Sequence, residues 1–271
     1  MRPKRHSPIG VFDSGVGGLT VLKALVERLP GESTVYLGDT ARVPYGTKSS
    51  DVVTRYSLKN AELLLEHGIK LLVVACNTAS SVALPALSRS LPVPVLGVIG
   101  PGAAAAAQAT RTGRVGVIGT EGTIASGAYQ RALVEARAGI VAVTQACPLF
   151  VPLAEEGWTE GEVPELVARR YLLPLLAQRI DTLVLGCTHY PLLFDVIARA
   201  AGPGVTLVDS AHATAERAKA MLSEQSLRND SGATVERTFL VTDVPGRFET
   251  VGSRFLGQPI SAARQVDLRF G

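Results

Sequence analysis

Short apolar runs rich in β-branched residues alternate along the chain with longer segments in which apolar positions recur at helical spacing. The short runs predict strands at residues 9–12, 35–37, 71–75, 93–98, 115–118, 141–144, 182–185, 205–208 and 237–241. The longer segments predict helices at residues 19–28, 50–67, 127–137, 164–179 and 211–223. This alternation is typical of α/β proteins, in which helices cover both faces of mainly parallel sheets.

Two sequence segments each have a similar counterpart later in the chain. GVFDSG at residues 10–15 recurs as GVIGTE at 116–121, and LVVACNT at 72–78 recurs as LVLGCTH at 183–189. We interpret them as two pseudo-symmetric, doubly wound domains with the active site in the cleft between them. Connections are predicted at residues 97–102, where glycine and proline cluster, and at 208–210. The first domain is then residues 1–98 plus about 209–271, and the second is residues 99–208.

Composition and charge narrow the class of protein. A formal net charge of only +3 does not suggest nucleic acid as a main ligand. The apolar stretches are short or broken by proline and glycine, so we predict no membrane span and no signal peptide, and we expect a cytoplasmic protein. Three cysteines without C-x-x-C spacing disfavour a disulfide framework or a structural zinc site. A chemical role for the cysteines is favoured instead.

Polar side chains follow five predicted strands. In open α/β sheets, ligands bind beyond the carboxyl ends of the strands. We therefore expect these residues to face a cleft: Asp13, Ser14, Asp39, Thr40, Cys76, Asn77, Thr78, Thr120, Thr123, Cys187, Thr188 and His189.

Cys76 and Cys187 occupy equivalent places in the repeat, each after a strand and before a predicted helix. A helix N-terminus favours an anion, so we expect the thiol pKa to fall from about 8.5 toward neutrality. A single cysteine at a strand end is more often an inert buried residue. Duplication favours a functional pair, whereas Cys147, which has no counterpart, is expected to be inert.

Two opposed thiols suit one kind of reaction. Inverting a stereocentre by proton transfer needs one group to take a proton from one face and another to supply a proton to the opposite face. Asp13 is a candidate partner for Cys76, and His189 for Cys187. The alternatives are a helix cap for Asp13 with Ser14 and a structural loop residue for His189. Asn77, Thr78 and Thr188 offer hydrogen-bond donors to an amino-acid substrate.

Signatures of other chemistries are missing from the sequence. The glycine-rich segment at residues 15–20 lacks the last glycine of G-x-G-x-x-G, and neither G-x-x-x-x-G-K-[ST] nor G-x-S-x-G occurs. No lysine lies at one of the five strand exits, which disfavours a pyridoxal Schiff base. We therefore predict no cofactor and no metal.

Four motifs together resemble the glutamate racemase family. They are VFDSGVGGLT at residues 11–20, GDT at 38–40 with PYG at 44–46, ACNTA at 75–79 and GCTHYP at 186–191. The resemblance implies a pyridoxal-independent enzyme that interconverts L- and D-glutamate for peptidoglycan synthesis. It also implies two α/β domains that enclose the substrate, and a homodimer.

The resemblance also implies roles for single residues. Cys76 would act on the α-proton of D-glutamate and Cys187 on that of L-glutamate, with Asp13 and His189 assisting. Glu155 resembles an acidic residue near the second cysteine, although Glu156 beside it is an alternative. The substrate-binding residues would be Ser14, Pro44, Tyr45, Gly46, Asn77, Thr78 and Thr188, and Asp13 and Thr123 are further predicted contacts from their strand exits.

The sequence is also compatible with two other functions. A racemase for aspartate or another small acidic amino acid would use the same paired thiols. A non-catalytic binding module would instead use Cys76 and Cys187 as a redox-sensitive pair.

Overall fold

The computed structural model describes residues 4–230 and 234–268. The larger sheet contains β1 (Ile9–Asp13), β2 (Thr34–Gly38), β3 (Leu71–Val74), β4 (Val95–Gly97), β9 (Arg237–Val241) and β10 (Arg264–Gln265), in the order β10-β9-β2-β1-β3-β4. The smaller sheet contains β5 (Arg114–Gly119), β6 (Val141–Ala146), β7 (Thr182–Gly186) and β8 (Thr206–Asp209), in the order β6-β5-β7-β8. The strand pairings are parallel. The predicted α/β fold with parallel sheets is confirmed.

The two sheets repeat one arrangement. The order β2-β1-β3-β4 in the larger sheet matches β6-β5-β7-β8 in the smaller sheet. The repeated glycines Gly10 and Gly116 lie in β1 and β5, and a methyl group on either would collide with an isoleucine, Ile69 or Ile180. The same packing is thus present in both halves, as the sequence repeat predicted.

Helices cover both sheets. They are α1 (Leu19–Arg28), α2 (Ser50–Glu66), α3 (Asn77–Val82), α4 (Leu84–Ser90), α5 (Ile99–Ala109), α6 (Glu121–Ala125), α7 (Ala128–Ala136), α8 (Phe150–Glu156), α9 (Glu162–Leu176), α10 (Phe194–Ala201), α11 (Ser210–Glu224) and α12 (Pro245–Leu256). Helix α11 packs against both α1, beside the larger sheet, and α5, beside the smaller sheet. It therefore ties the two halves together. None of the helices within the described ranges is both long and apolar enough to cross a bilayer.

Several helices were not predicted from the sequence, among them α4, α6, α8 and α10. Helices α5 and α12 show where the sequence signals were misread or missed. Residues 97–102 were expected to form a connection, but α5 begins at Ile99 and includes Pro101. A proline is tolerated there because N–H groups in the first helical turn have no intrahelical partner. Helix α12 was not predicted, although Pro245 at its start and Gly257 just after its end are ordinary helix boundary signals.

The C-terminal segment returns to the larger sheet. Strand β9, which was predicted, pairs with β2, and β10 pairs with β9. Helix α12 then packs against α1. The division of the chain at residues 98 and 209 stays a prediction.

Asp181 anchors the start of β7, the strand that leads to Cys187. Its carboxylate accepts the Thr110 hydroxyl at 2.6 Å and the backbone N–H groups of Arg111 and Thr112 at 2.8 and 2.7 Å. Burial opposes the negative charge, but these hydrogen bonds outweigh it and hold the pKa of Asp181 well below its usual range. The residue therefore stabilises the fold as an anion.

Asp181→Asn is expected to lower the free energy of unfolding by about 1.5–3 kcal/mol at pH 7, since hydrogen bonds to a charged group are lost. A depressed folded-state pKa contributes stability that is present above about pH 3.9 and is lost as the pH falls further. The gap between wild type and variant, measured by urea denaturation, should therefore shrink below pH 4. Asp267→Asn, at an exposed position, is the control. A constant gap across this range would contradict the assigned role.

Candidate active site

Cys76 and Cys187 lie at the carboxyl ends of equivalent strands. Cys76 comes two residues after Val74 of β3, and Cys187 directly follows Gly186 of β7. Both side chains are 6% exposed. Both line one pocket between the two sheets, together with Asn77, Thr188 and other residues of the strand exits. The structure thus brings two thiols, one from each half, to a single cavity.

The Cys76 thiol has an unexpectedly high pKa. Burial raises it to about 12 and the Asp13 carboxylate adds to the rise, whereas the Ala79 N–H and the Ser14 hydroxyl act in the opposite direction. These two donors lie 3.5 and 3.7 Å from Sγ. The predicted fall in pKa is therefore wrong for Cys76, because loss of solvent outweighs the N-terminus of α3. Cys76 is a thiol at neutral pH.

Cys187 has a different neighbourhood. A short 3₁₀ helix at Tyr190–Leu193, and not an α-helix, follows it. The expected N-terminus of an α-helix therefore does not adjoin this thiol. Its partner is His189, whose Nδ1 lies 3.8 Å from the Cys187 Sγ.

His189 joins Cys187 to Glu155. The His189 Nε2 lies 3.0 Å from Glu155 Oε1. Burial disfavours a charged imidazole, but hydrogen bonds to Cys187 and Glu155 outweigh it and raise the pKa of His189 to about 10. The hydrogen bond from His189 in turn lowers the pKa of Glu155. A protonated imidazole can donate to both neighbours, so its positive charge lies beside the sulfur of Cys187.

Only one of the two adjacent glutamates reaches the site. Glu156 is exposed, and its carboxylate comes no nearer than 3.9 Å to Arg247. Successive residues of a helix point about 100° apart, so α8 directs Glu155 toward His189 and turns Glu156 away. The contact with His189 belongs to Glu155.

Asp13 connects the two halves. It is fully buried at the end of β1. Its Oδ2 accepts the Gly15 N–H at 2.9 Å, and its Oδ1 lies 3.5 Å from the Thr188 hydroxyl. Burial raises the pKa of Asp13, while the His189 charge and the Gly15 N–H act to lower it. Asp13 therefore interacts with the surroundings of both cysteines.

A glycine permits this close approach. A methyl group on Gly17 would lie 2.3 Å from the Thr188 hydroxyl and 2.4 Å from His189 Nδ1. The Thr20 hydroxyl also donates to the Thr188 carbonyl at 3.1 Å. The glycine-rich segment after β1 thus packs directly on the Cys187 loop, a role distinct from nucleotide binding.

Most of the predicted substrate-binding residues line the pocket. They are Ser14, Pro44, Tyr45, Gly46, Asn77, Thr78 and Thr188. The Tyr45 hydroxyl is engaged by Asp39 at 2.5 Å and by the Asn60 amide at 3.0 Å. Thr123 lies behind the pocket, 3.2 Å from the Thr78 hydroxyl, whereas Thr120 lines it.

Comparisons with known proteins show the family to which this chain belongs. The sequence model of the Asp/Glu/Hydantoin racemase family matches residues 9–218. The chain belongs to this racemase family. It is 57% identical to the glutamate racemase of Geobacter metallireducens, over 96% of each chain. The glutamate racemase isoform RacE1 of Bacillus anthracis has a similar structure, with a TM-score of 0.92 and 41% identity over 97% of this chain and 98% of that one. The family resemblance inferred from the four motifs is confirmed.

Another similar solved structure contains a bound ligand. The glutamate racemase of Francisella tularensis, in complex with D-glutamate, superposes with a TM-score of 0.91 at 37% identity, over 97% of this chain and 98% of that one. The similarity between these racemase family members extends over nearly the whole of both chains.

Sequence reasoning missed the part that α12 plays in this member of the racemase family. The Phe255 ring packs edge-on against His189, with 5.1 Å between ring centres. Arg254 donates to the Glu155 carbonyl at 3.2 Å, and Arg247 lies 3.9 Å from the Glu155 carboxylate. The spacing of Phe248, Val251 and Phe255 is helical, which could have revealed the helix but not its target.

Proposed function

We propose that this chain is a glutamate racemase in which Cys187 and Cys76 exchange protons with opposite faces of the α-carbon. The observation that carries the proposal is the pair of thiols at equivalent strand ends of the two halves, lining one pocket. Each thiol has different surroundings, Cys187 beside His189 and Cys76 beside Ser14. Opposed groups of this kind are what inversion of a stereocentre requires.

The proton balance in the L-to-D direction is simple. The Cys187 thiolate takes the α-proton of L-glutamate, and the electron pair of the broken C–H bond stays on the α-carbon and its carboxylate. The Cys76 thiol then donates its proton to the opposite face, which forms the C–H bond of D-glutamate and leaves a Cys76 thiolate. Solvent exchange or the reverse reaction restores the starting protonation states.

The two electrostatic environments suit this starting state. Burial and the Asp13 charge keep Cys76 protonated, so that it is ready to donate. The His189 imidazolium, held by Glu155, stabilises a negative charge on Cys187. Asp13 therefore favours the neutral thiol at Cys76, whereas His189 favours a negative charge at Cys187.

Substrate recognition would come from the polar rim of the pocket. We assign it to Ser14, Pro44, Tyr45, Gly46, Asn77, Thr78 and Thr188, with Thr123 supporting Thr78 from behind. Recognition of glutamate is supported by the Francisella tularensis relative, whose structure contains D-glutamate. A role in peptidoglycan synthesis, a cytoplasmic location and a homodimer complete the proposal and rest on family membership.

Proton NMR in D₂O tests the function directly. Purified, reduced protein is mixed with L-glutamate without added pyridoxal phosphate or metal, and loss of the α-proton signal is followed alongside a chiral assay. We expect exchange accompanied by D-glutamate. Folded protein that produces neither signal would refute the proposal. Turnover of L-aspartate alone would favour the shorter substrate, and a reversible Cys76–Cys187 disulfide without turnover would favour the redox-sensitive module.

A further inference from the structure

Asn77 presents an incomplete hydrogen-bonding pattern. It directly follows Cys76, is 3% exposed and lines the pocket. Its Oδ1 accepts a hydrogen bond of 2.7 Å from the Tyr129 hydroxyl. Its Nδ2 is buried and has no hydrogen-bond partner among the residues that the structure describes. A buried amide nitrogen of this kind is costly unless a ligand accepts from it.

Tyr129 reaches Asn77 from the other half of the molecule. It lies on α7, which packs against the smaller sheet, whereas Asn77 follows β3 of the larger sheet. The tyrosine is 1% exposed, and the Ser210 side chain at the start of α11 also hydrogen-bonds its hydroxyl. Burial raises the pKa of Tyr129, so the hydroxyl keeps its proton and can donate it.

In this hydrogen bond the Tyr129 hydroxyl donates to Oδ1, which leaves the nitrogen end of the amide for a ligand. An Asn side chain has an acceptor oxygen and a donor nitrogen of nearly the same shape, and the surrounding network selects the orientation. With Oδ1 held by Tyr129, Nδ2 is the end left for a ligand. The acceptors of zwitterionic glutamate are its carboxylate oxygens, to which an amide N–H donates well.

We propose that Tyr129 is a positioning residue that fixes the Asn77 amide so that its Nδ2 donates to a carboxylate of the substrate. The inference rests on the proposed function for the identity of the ligand. Asn77 belongs to the first half and Tyr129 to the second, so both halves would contribute to recognition of the substrate. The orientation of Asn77 thereby depends on a contact between the two halves.

Tyr129→Phe removes the hydroxyl and keeps the ring. The amide is then free to turn its oxygen toward the carboxylate, so we expect the Kd of racemic glutamate, measured by calorimetry, to rise about tenfold. KM should rise with it, while kcat changes less. Tyr171→Phe is the matched control, since its hydroxyl accepts from the Leu149 N–H outside the pocket. This control should bind glutamate as the wild type does.

A double-mutant cycle with Asn77→Ala separates positioning from a general structural effect. If Tyr129 acts through Asn77, Tyr129→Phe should add no further loss of affinity in the Asn77→Ala background. Equal losses in both backgrounds would overturn the inference. Because the readout is binding, wild type that binds glutamate without racemising it would refute the proposed function alone. Wild type that does not bind glutamate would refute both.

A second measurement needs no variant. A crystal structure of the wild type with glutamate, at a resolution that distinguishes nitrogen from oxygen, reports the amide orientation directly. Nδ2 facing a carboxylate supports the proposal. Oδ1 facing the ligand, or Nδ2 facing Tyr129, overturns it.

Discussion

Replacement of Cys76 or Cys187 by serine is expected to slow racemisation by about 10³- to 10⁴-fold. A serine hydroxyl is a far weaker acid than a thiol, so it neither forms the required anion nor donates its proton as readily. The chiral assay of D-glutamate formation measures the loss, with thermal melts to verify that each variant is folded. Cys147→Ser is the matched control, because Cys147 is buried and does not line the pocket. Wild-type activity in either of the first two variants would contradict the two-thiol mechanism.

Isotope exchange can assign each thiol to a face. The two enantiomers have equal free energies, so any variant must lower kcat/KM equally in both directions, and steady-state rates cannot make the assignment. In D₂O, Cys76→Ser retains Cys187 and should exchange the α-proton of L-glutamate without inversion. Cys187→Ser should do the same only for D-glutamate. Exchange of D-glutamate by Cys76→Ser and of L-glutamate by Cys187→Ser would refute the assignment of Cys187 to L-glutamate and Cys76 to D-glutamate.

His189→Asn is expected to lower kcat/KM by about 10²-fold, because the variant has no imidazolium to stabilise the Cys187 anion. The pH profile provides a second readout. His189, with a pKa of about 10, is protonated at neutral pH and loses its proton as the pH rises through 10. Wild-type activity should therefore begin to fall near pH 10, before deprotonation of Cys76 near pH 12.

The variant should lack the alkaline decrease near pH 10 and keep the one at higher pH. The matched control is His212→Asn, at an exposed position on α11 where the imidazole lies 3.5 Å from the Asp209 carboxylate. It should retain both the wild-type rate and the wild-type profile. A decrease near pH 10 that persists in His189→Asn would show that another group is responsible for it.

Much of the fold followed from the sequence. The repeated segments around Gly10 and Gly116 and around Cys76 and Cys187 predicted two related halves, and the matching strand orders of the two sheets agree. Strand β9 was predicted at its observed bounds, Arg237–Val241. Helix α5 was mistaken for a connection because Gly100, Pro101 and Gly102 resemble a break when their position in the first helical turn is unknown. Local composition does not reveal that position.

The sequence by itself determined which chemical groups come together, because side chains that follow parallel strands meet at one edge of a sheet. The repeated segments predicted two sheets, each with one such edge. Only the tertiary structure decided how those groups behave. Burial, and not the helix N-terminus, sets the pKa of Cys76. The orientation of α8 directs Glu155, and not Glu156, toward His189. Tyr129 contacts Asn77, and α12 contacts His189, although each pair is distant in sequence. Such properties depend on solvent exclusion and on contacts between residues remote in sequence, which no local pattern records.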